Sequence, residues 1–375
     1  MMTAIEQEMA QMRAEVAAID QEILRLVARR LETTRRIGEA KQKLSLPIRD
    51  FRVEVEVLSR ARSCARASGF DAELAEQILE QLVRAAVQTQ AEIPHRPPRT
   101  GEQKVLVVGG AGRMGAWLCR FFEAQGHTVA VHDPAARESP WPSVPLEQAV
   151  PASDVVVLAT PLGSTPGALE RTLEMGGEPL IFDICSLKSG VAPILRAAAA
   201  RGRRVTSLHP MFAPGAVLLH GRAVLVCDAG QRQATEAARQ LFTDTALGLY
   251  EVPLEEHDRI MAVVLGMSHV VNLQFALALS RFGLPFDFLG KVASTTFAKQ
   301  IKTTAEVAEE NPVLYHEIQY HNQHTRKMFE LLSEALEQLR SAALTGQHEH
   351  FIRLMREGAR YLRPTSASGE DPPAG

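Results

Sequence analysis

Gly110, Gly112 and Gly115 stand in the spacing G-x-G-x-x-G within Val105-Leu-Val-Val-Gly-Gly-Ala-Gly-Arg-Met-Gly115. The spacing alone is common. Here it follows a short apolar strand and opens a helix, the context that a dinucleotide's pyrophosphate requires. In this reading Gly110 permits the tight turn, Gly112 lets the backbone approach the pyrophosphate, and Gly115 lets helix and strand pack closely; Arg113 and Met114 ride on the same turn. The second apolar run ends at His132-Asp133, 18 residues beyond Gly115. A carboxylate there accepts hydrogen bonds from the adenosine ribose and repels a 2′-phosphate, so NAD is the expected cofactor, in preference to NADP. Further on, His209 ends another apolar run in Ser207-Leu-His-Pro-Met-Phe212. A neutral imidazole can take a hydroxyl proton near pH 7 while hydride leaves for a nicotinamide. Oxidising a secondary alcohol requires residues of these types.

Such residues need a scaffold, and the periodicity predicts one. Apolar runs at 105–108, 129–131, 155–159, 180–184, 205–208 and 223–227 alternate with helical segments. That alternation predicts a doubly wound, mostly parallel α/β sheet of Rossmann type over residues 104–250. Ahead of it, Ile5, Met9, Met12, Val16, Ile19, Ile23 and Leu26 form a heptad-like stripe, with no Gly or Pro before Gly38. The stripe predicts a helix from about residue 3 to about residue 43, roughly 60 Å long. Pro47 is expected to end it, and two shorter helices follow, from about Asp50 and from beyond Gly69 and Asp71, completing an all-α domain over 1–92. A helix of that length overreaches its own domain, so its stripe should pack on the shorter helices and on a second copy of the chain. Residues 93–103, rich in Pro and charge, read as a linker. Residues 251–362 read as an all-α C-terminal domain for dimerisation and substrate contact, and 363–375 as a disordered tail. Within the apolar stretch 260–280, Ser268, His269, Asn272 and Gln274 argue for a buried helix and against a membrane span.

The totals exclude other classes. A chain of 375 residues is too long for one ordinary core. A net charge of −3 points to neither nucleic acid nor an acidic membrane surface as partner. Cys64, Cys119, Cys185 and Cys227 are scattered without a CxxC pair, which argues against a metal site or a disulfide framework and for the reducing cytoplasm. The acidic N-terminus does not read as a signal peptide.

From 105 to about 290 the chain resembles the prephenate dehydrogenases. The resemblance rests on Asp183-Ile-Cys-Ser-Leu-Lys188, on Leu208-His-Pro-Met-Phe212, on Glu256-His257-Asp258 and on Ser268-His269. It implies that His209 contacts the substrate hydroxyl, that Thr160 stands where relatives carry a small hydroxylic residue near that histidine, and that Lys188 holds substrate or the local loop electrostatically. It also places His269 among substrate contacts. Relatives carry arginines near 297–306 that clamp a substrate carboxylate; Ala298 and Glu306 occupy the nearest positions here, with Lys299 and Lys302 as the nearby cations. A lysine supplies charge without the bidentate fork.

The first ninety or so residues resemble the all-helical chorismate mutases, with Arg13, Arg30, Lys41, Asp50, Glu54 and Gln90 on that family's active-site positions. Rearranging a dicarboxylate within one molecule needs cations to fold it and donors for the ether oxygen, with no nucleophile or cofactor. The resemblance implies Arg13 and Arg30 for carboxylates, Lys41 and Gln90 for the ether oxygen, and Glu54 for the ring hydroxyl, Arg13 coming from the partner chain. Val53 stands where an arginine is usual, and Ala86 where a serine is usual. The leading expectation is therefore a bifunctional enzyme of tyrosine biosynthesis. It would take chorismate to prephenate and then, with NAD, to 4-hydroxyphenylpyruvate. Two alternatives stay open: the same reactions on the 4-amino analogues, which the lost cation at Val53 would suit, and a dehydrogenase carrying a non-catalytic helical module.

Overall fold

The structure, a computed structural model, describes residues 4–44, 49–91, 102–134, 140–141, 143–243 and 245–363. Pro47, the linker up to residue 101 and the tail from 364 lie outside the described residues. The chain divides into two compact units, 1–257 and 258–375.

The first unit opens with α1 (Ala4–Lys43), unbroken over 40 residues as the stripe predicts, then α2 (Phe51–Ala67) and α3 (Ala72–Ala91). Asp50 caps α2, its carboxylate accepting from the backbone N–H groups of Arg52 and Val53. Only the later part of α1 is covered by neighbours. Over its first half the stripe lies open, from Met9 at 41% exposed to Ile5 at 69%. Seven residues of that kind left in water are the signature of a face built for another surface.

Among the described residues seven strands follow: β1 (Lys104–Val108), β2 (Thr128–His132), β3 (Val155–Leu158), β4 (Leu180–Asp183), β5 (Val205–Pro210), β6 (Ala223–Cys227) and β7 (Gly248–Glu251). Their order is β2-β1-β3-β4-β5-β6-β7. All pairs are parallel except β5 with β6. No helix separates β5 from β6, so the chain doubles back and the pair runs antiparallel. β7, which sequence reasoning did not include, is a four-residue edge strand with two exposed residues and so carries little apolar signal. The helices α4 (Arg113–Ala124), α5 (Leu146–Ala149), α6 (Thr165–Glu174), α7 (Ala192–Ala200) and α8 (Arg232–Thr243) connect the strands. Because β1 is flanked by β2 and β3, the winding reverses at its C-terminal end, where open α/β sheets bind their ligands.

The sheet's core contains a cluster of aromatics: Trp117 stacks on Phe121 (centroids 5.1 Å), Phe121 on Phe242 (5.1 Å), and Phe212 meets Trp117 edge-on (5.0 Å). Phe51, the first residue of α2, enters this cluster at 5.8 Å from Phe121 and is only 6% exposed. Burial of such a ring is worth about 1.5–3 kcal/mol. Next to it, the Arg49 guanidinium lies over the Phe51 ring and donates to the Val217 carbonyl, and His220 pairs with Glu76 of α3. The helical domain and the sheet thus share one core.

The second unit is helical. The run that starts in α9 (His257–Met261) passes through a π-helical segment, Ala262–Met267, into α10 (Ser268–Phe282). There follow α11 (Phe286–Lys291), α12 (Thr295–Ala308), α13 (Pro312–His321), α14 (Thr325–Leu344) and α15 (His348–Tyr361). The expectation of a buried helix over 260–280 needs correcting. Val263, Val264, Val271, Leu273 and Leu277 are exposed, whereas His269 and Asn272 are the buried residues of α10. Ser268 and Gln274 are exposed, whereas Asn272 turns inward to partners: its side-chain oxygen accepts from Gln300 and Thr304 of α12, each at 2.9 Å. By length and composition the run 257–282 could also cross a bilayer.

Candidate active sites

At the C-terminal end of β1 the chain turns sharply at Gly109 (φ +86°), whose N–H donates to the His132 carbonyl at 2.9 Å. Left-handed backbone favours glycine. A Cβ at Gly110 would strike the Val131 side chain, and one at Gly115 would overlap the Gly109 carbonyl oxygen. The tight turn therefore belongs to Gly109, not to Gly110 as the spacing predicts; Gly110 is required by close packing on β2. Gly112 precedes α4 without a side-chain cap. Gly112 brings no side chain of its own to the start of α4, and a helix N-terminus behind a glycine turn is the arrangement that binds a pyrophosphate. Arg113 is exposed there, while Met114 packs on the core. The Asp133 carboxylate lies beside the turn and accepts from the Ala111 N–H at 3.0 Å. Turn, helix start and carboxylate fit NAD.

The ends of β4 and β5 carry the second group. His209 is 4% exposed, and its Nδ1 lies 3.1 Å from Nε2 of His257, itself fully buried. Burial pushes the His209 pKa well below the ordinary histidine value, helped by the Lys188 charge and by His257. The imidazole is neutral at pH 7, as a base must be. Lys188 is fully buried; its Nζ donates to Asp183 (2.9 Å) and to the Leu208 carbonyl (2.7 Å). Asp183 also accepts from the Ser207 hydroxyl (2.6 Å) and the Cys185 N–H (2.9 Å). Of the two roles expected for Lys188, the geometry favours holding the loop: its ammonium is spent on fixing the strand end that presents His209. The Thr160 hydroxyl lies 2.8 Å from that of Thr165. The loop after His209 is pinned by the Trp117 indole N–H, which donates to the Ala216 carbonyl at 3.1 Å.

In the helical domain, α1 and α3 exchange bonds from two of the expected residues. Arg30 donates to the Leu82 carbonyl and Gln90 to the Thr34 carbonyl, both at 3.0 Å. Burial lowers the pKa of Arg30. Lys41 is half-buried. Glu54 is buried and held by Arg49 through two bonds of 2.8 and 3.1 Å. Asp50 is occupied by capping α2. Val53 is half-exposed and Ala86 is buried. Arg13 is exposed on the open half of α1, about 25 Å along the helix from Arg30 at 1.5 Å per residue. That separation is too great for both to hold one small molecule within a single chain.

In the second unit His269 is buried and stacks flat on Tyr315, centroids 3.8 Å apart, and among the described residues its Nδ1 has no hydrogen-bond partner. Lys299 and Lys302 are exposed on α12.

Residues 12–91 match the family model of type II chorismate mutase, and residues 253–357 that of the prephenate dehydrogenase dimerisation domain. The T-protein of Enterobacter agglomerans is 25% identical over 83% of this chain and 81% of its own length; that of Haemophilus influenzae is 24% identical over 82% and 80%. The chain belongs to the bifunctional chorismate mutase/prephenate dehydrogenase (T-protein) family. A 4-amino-4-deoxyprephenate dehydrogenase of Streptomyces pristinaespiralis is 28% identical over 68% of the chain and 89% of its own. Among solved structures, the prephenate dehydrogenase of Aquifex aeolicus with hydroxyphenyl propionate and NAD+ covers 70% of the chain and 98% of its own (TM-score 0.57, 17% identity), which shows a common fold.

Within this T-protein-family framework, sequence reasoning missed Gly109, Arg49 and the pairing of His257 with His209. Gly109 directly precedes the glycine motif, and that adjacency was its only signal. Arg49 sits one residue before the Asp50 cap, and nothing in a linear pattern shows that it reaches Glu54 and Val217.

Proposed function

We propose that this chain converts chorismate to prephenate in its helical domain, residues 1–92, and oxidatively decarboxylates prephenate to 4-hydroxyphenylpyruvate. The second reaction uses a Rossmann domain over 104–250 and a helical domain over 251–362. The observation that carries the reading is the buried, neutral His209 at the end of β5, on the same chain as a matched mutase domain. NAD, when bound, supplies the hydride acceptor. His209 takes the proton of the ring hydroxyl through its Nε2 as hydride leaves the same carbon. The ring carboxylate para to it departs as CO2, its bonding electrons enter the ring, and the phenolate oxygen takes the proton back. The net reaction releases no proton. Thr160 steadies the hydroxyl, the cations Lys299 and Lys302 and the buried His269 serve the substrate's charged end, and Gly110, Gly112, Arg113, Met114, Gly115 and Asp133 hold NAD.

In the mutase site Arg30, Lys41, Glu54 and Gln90 of one chain are joined by Arg13 of a second copy, which makes a homodimer part of the proposal. The open α1 stripe and the outward apolar face of 257–282, within the matched dimerisation domain, both support it. Such a dimer would work in the cytoplasm on small molecules, with neither nucleic acid nor membrane as partner. Assays of the purified protein with chorismate, and with prephenate plus NAD or NADP, test the reading; absence of NAD reduction with prephenate defeats it.

A second reading, the same two steps on the 4-amino analogues, is favoured by one specific feature. At Val53 the arginine usual in the mutases is absent beside Glu54, whose carboxylate is paired with Arg49 instead; one cation fewer near the ring's 4-substituent suits an ammonium group. Competition between prephenate and its 4-amino analogue decides between them through kcat/KM.

A further inference from the structure

An imidazole that takes a proton through one nitrogen must carry its own hydrogen on the other, and the partner of that other nitrogen sets the tautomer. For His209 the nitrogen turned inward is Nδ1, and Nε2 of His257 lies 3.1 Å from it, the rings inclined by 50°. This one bond has two possible directions with opposite consequences. If His257 donates, the His209 hydrogen sits on Nε2, and the lone pair needed for the hydroxyl proton is gone. If His209 donates from Nδ1, its Nε2 is a base.

We propose that His257 is the positioning residue of the dehydrogenase: its Nε2 accepts the Nδ1–H of His209, fixes the base tautomer, and shares the proton that His209 takes up. The inference rests on the reading of His209 as the base. Both rings are buried, so no water competes for the bond. The other charged groups at this strand end, Lys188 and Asp183, are bound to each other at 2.9 Å, and Lys188 opposes a second positive charge. An imidazolium forming on His209 therefore needs a neutral acceptor beside it. A hydrogen bond from a charged donor is roughly twice as strong as a neutral one. The stoichiometry fits a closed pair. The hydroxyl proton goes to His209 Nε2, the C–H electron pair goes to the nicotinamide, the C–C bond to the carboxylate breaks, and the proton returns to the phenolate. A proton that is borrowed and returned needs a place to wait, not a route to solvent.

The test compares His257→Leu with His257→Gln in the full chain. Gln places an amide oxygen near the position of Nε2 and keeps the acceptor; Leu removes it. The tautomer of His209 is read by 15N NMR of histidine-labelled protein, its resonance assigned by its loss in His209→Asn. Mutase activity reports folding. The parent is expected to show the Nδ1–H form. His257→Leu should lose that form and lower dehydrogenase kcat by about 10²-fold, the scale of general-base loss, with KM for NAD little changed. His257→Gln should keep the form and recover most of the rate. The proposal is overturned if His257→Leu keeps near-parental turnover, if it loses rate with the tautomer unchanged, or if His257→Gln shows the Nε2–H form. Should the Leu variant not fold, the Gln variant's tautomer and rate decide alone. Should the parent fail to oxidise either prephenate or its 4-amino analogue, the functional reading falls, while the spectrum still decides the pair.

Discussion

The two candidate sites are built on opposite plans. The dehydrogenase residues around His209 are buried, mutually hydrogen-bonded and complete at the strand ends: Asp183, Lys188, Ser207 and His257 all have partners within one chain. Of the expected mutase residues Glu54 is buried, Arg30, Lys41 and Gln90 are half-buried, and the exposed Arg13 lies about 25 Å from Arg30 along α1. The chemistry accounts for the difference. Moving a proton and a hydride requires a base of controlled pKa, which only a dry and fixed surrounding provides. Folding a dianion over itself requires cations at suitable points, and these can come from two chains.

The largest expected effect breaks one site and spares the other. His209→Asn should lower dehydrogenase kcat by about 10²-fold or more, with mutase turnover and NAD binding nearly intact. Stopped-flow or steady-state assays of both reactions on one preparation would show it; a variant with parental prephenate turnover places the base elsewhere. The converse break is Ile19→Asp, which sets a charge in the open stripe of α1. Mutase kcat/KM should fall by roughly 10-fold or more as Arg13 is withdrawn from the partner's site, and ultracentrifugation should show a weakened assembly. Mutase activity that survives in a monomer sinks the shared-site account.

Asp133→Ala should be milder. KM for NAD is expected to rise by about 10-fold, the scale of one charge-assisted bond, and discrimination against NADP to relax. An unchanged NAD:NADP ratio would remove Asp133 from the ribose.

The smallest effect is in pH. The base works unprotonated, and its folded-state pKa is depressed below 6.5. Dehydrogenase kcat/KM should therefore stay flat as pH falls through 6.5 and decline only at more acidic values. The same sign holds for stability: the unfolded chain binds the proton first, so stability is full above about pH 6.5 and is lost as pH falls toward the folded value. Mutase turnover measured alongside supplies the contrast, and a dehydrogenase limb centred at or above 6.5 contradicts the burial argument.

How much of this was legible in the sequence follows from the same contrast. The helix α1, six of the seven strands, the glycine motif and His209 were all visible because periodicity and local spacing are linear signals, although the turn itself falls one residue earlier, at Gly109. Strand β7 was not, since two of its four residues are exposed at a sheet edge. The apolar stretch 260–280 reads as buried because composition reports hydrophobicity and not which face meets protein: His269 and Asn272 turn inward to Tyr315 and α12, and Val263, Val264 and Val271 turn out. Pairings across long separations, such as His209 with His257 and Arg49 with Val217, leave no linear trace.

Phe51 has a bearing on how such a chain could be divided. The stretch 93–103 reads as the obvious place to cut a two-enzyme gene, yet the seal between the halves lies upstream of it. A dehydrogenase half released there would leave Phe121 without the Phe51 ring beside it, and Val217 without its guanidinium. The mutase half would carry away a bare phenyl group and an Arg49–Glu54 pair stripped of its neighbour. Independent life for either enzyme would thus need compensating changes around position 51, so that the fusion, once made, resists being undone.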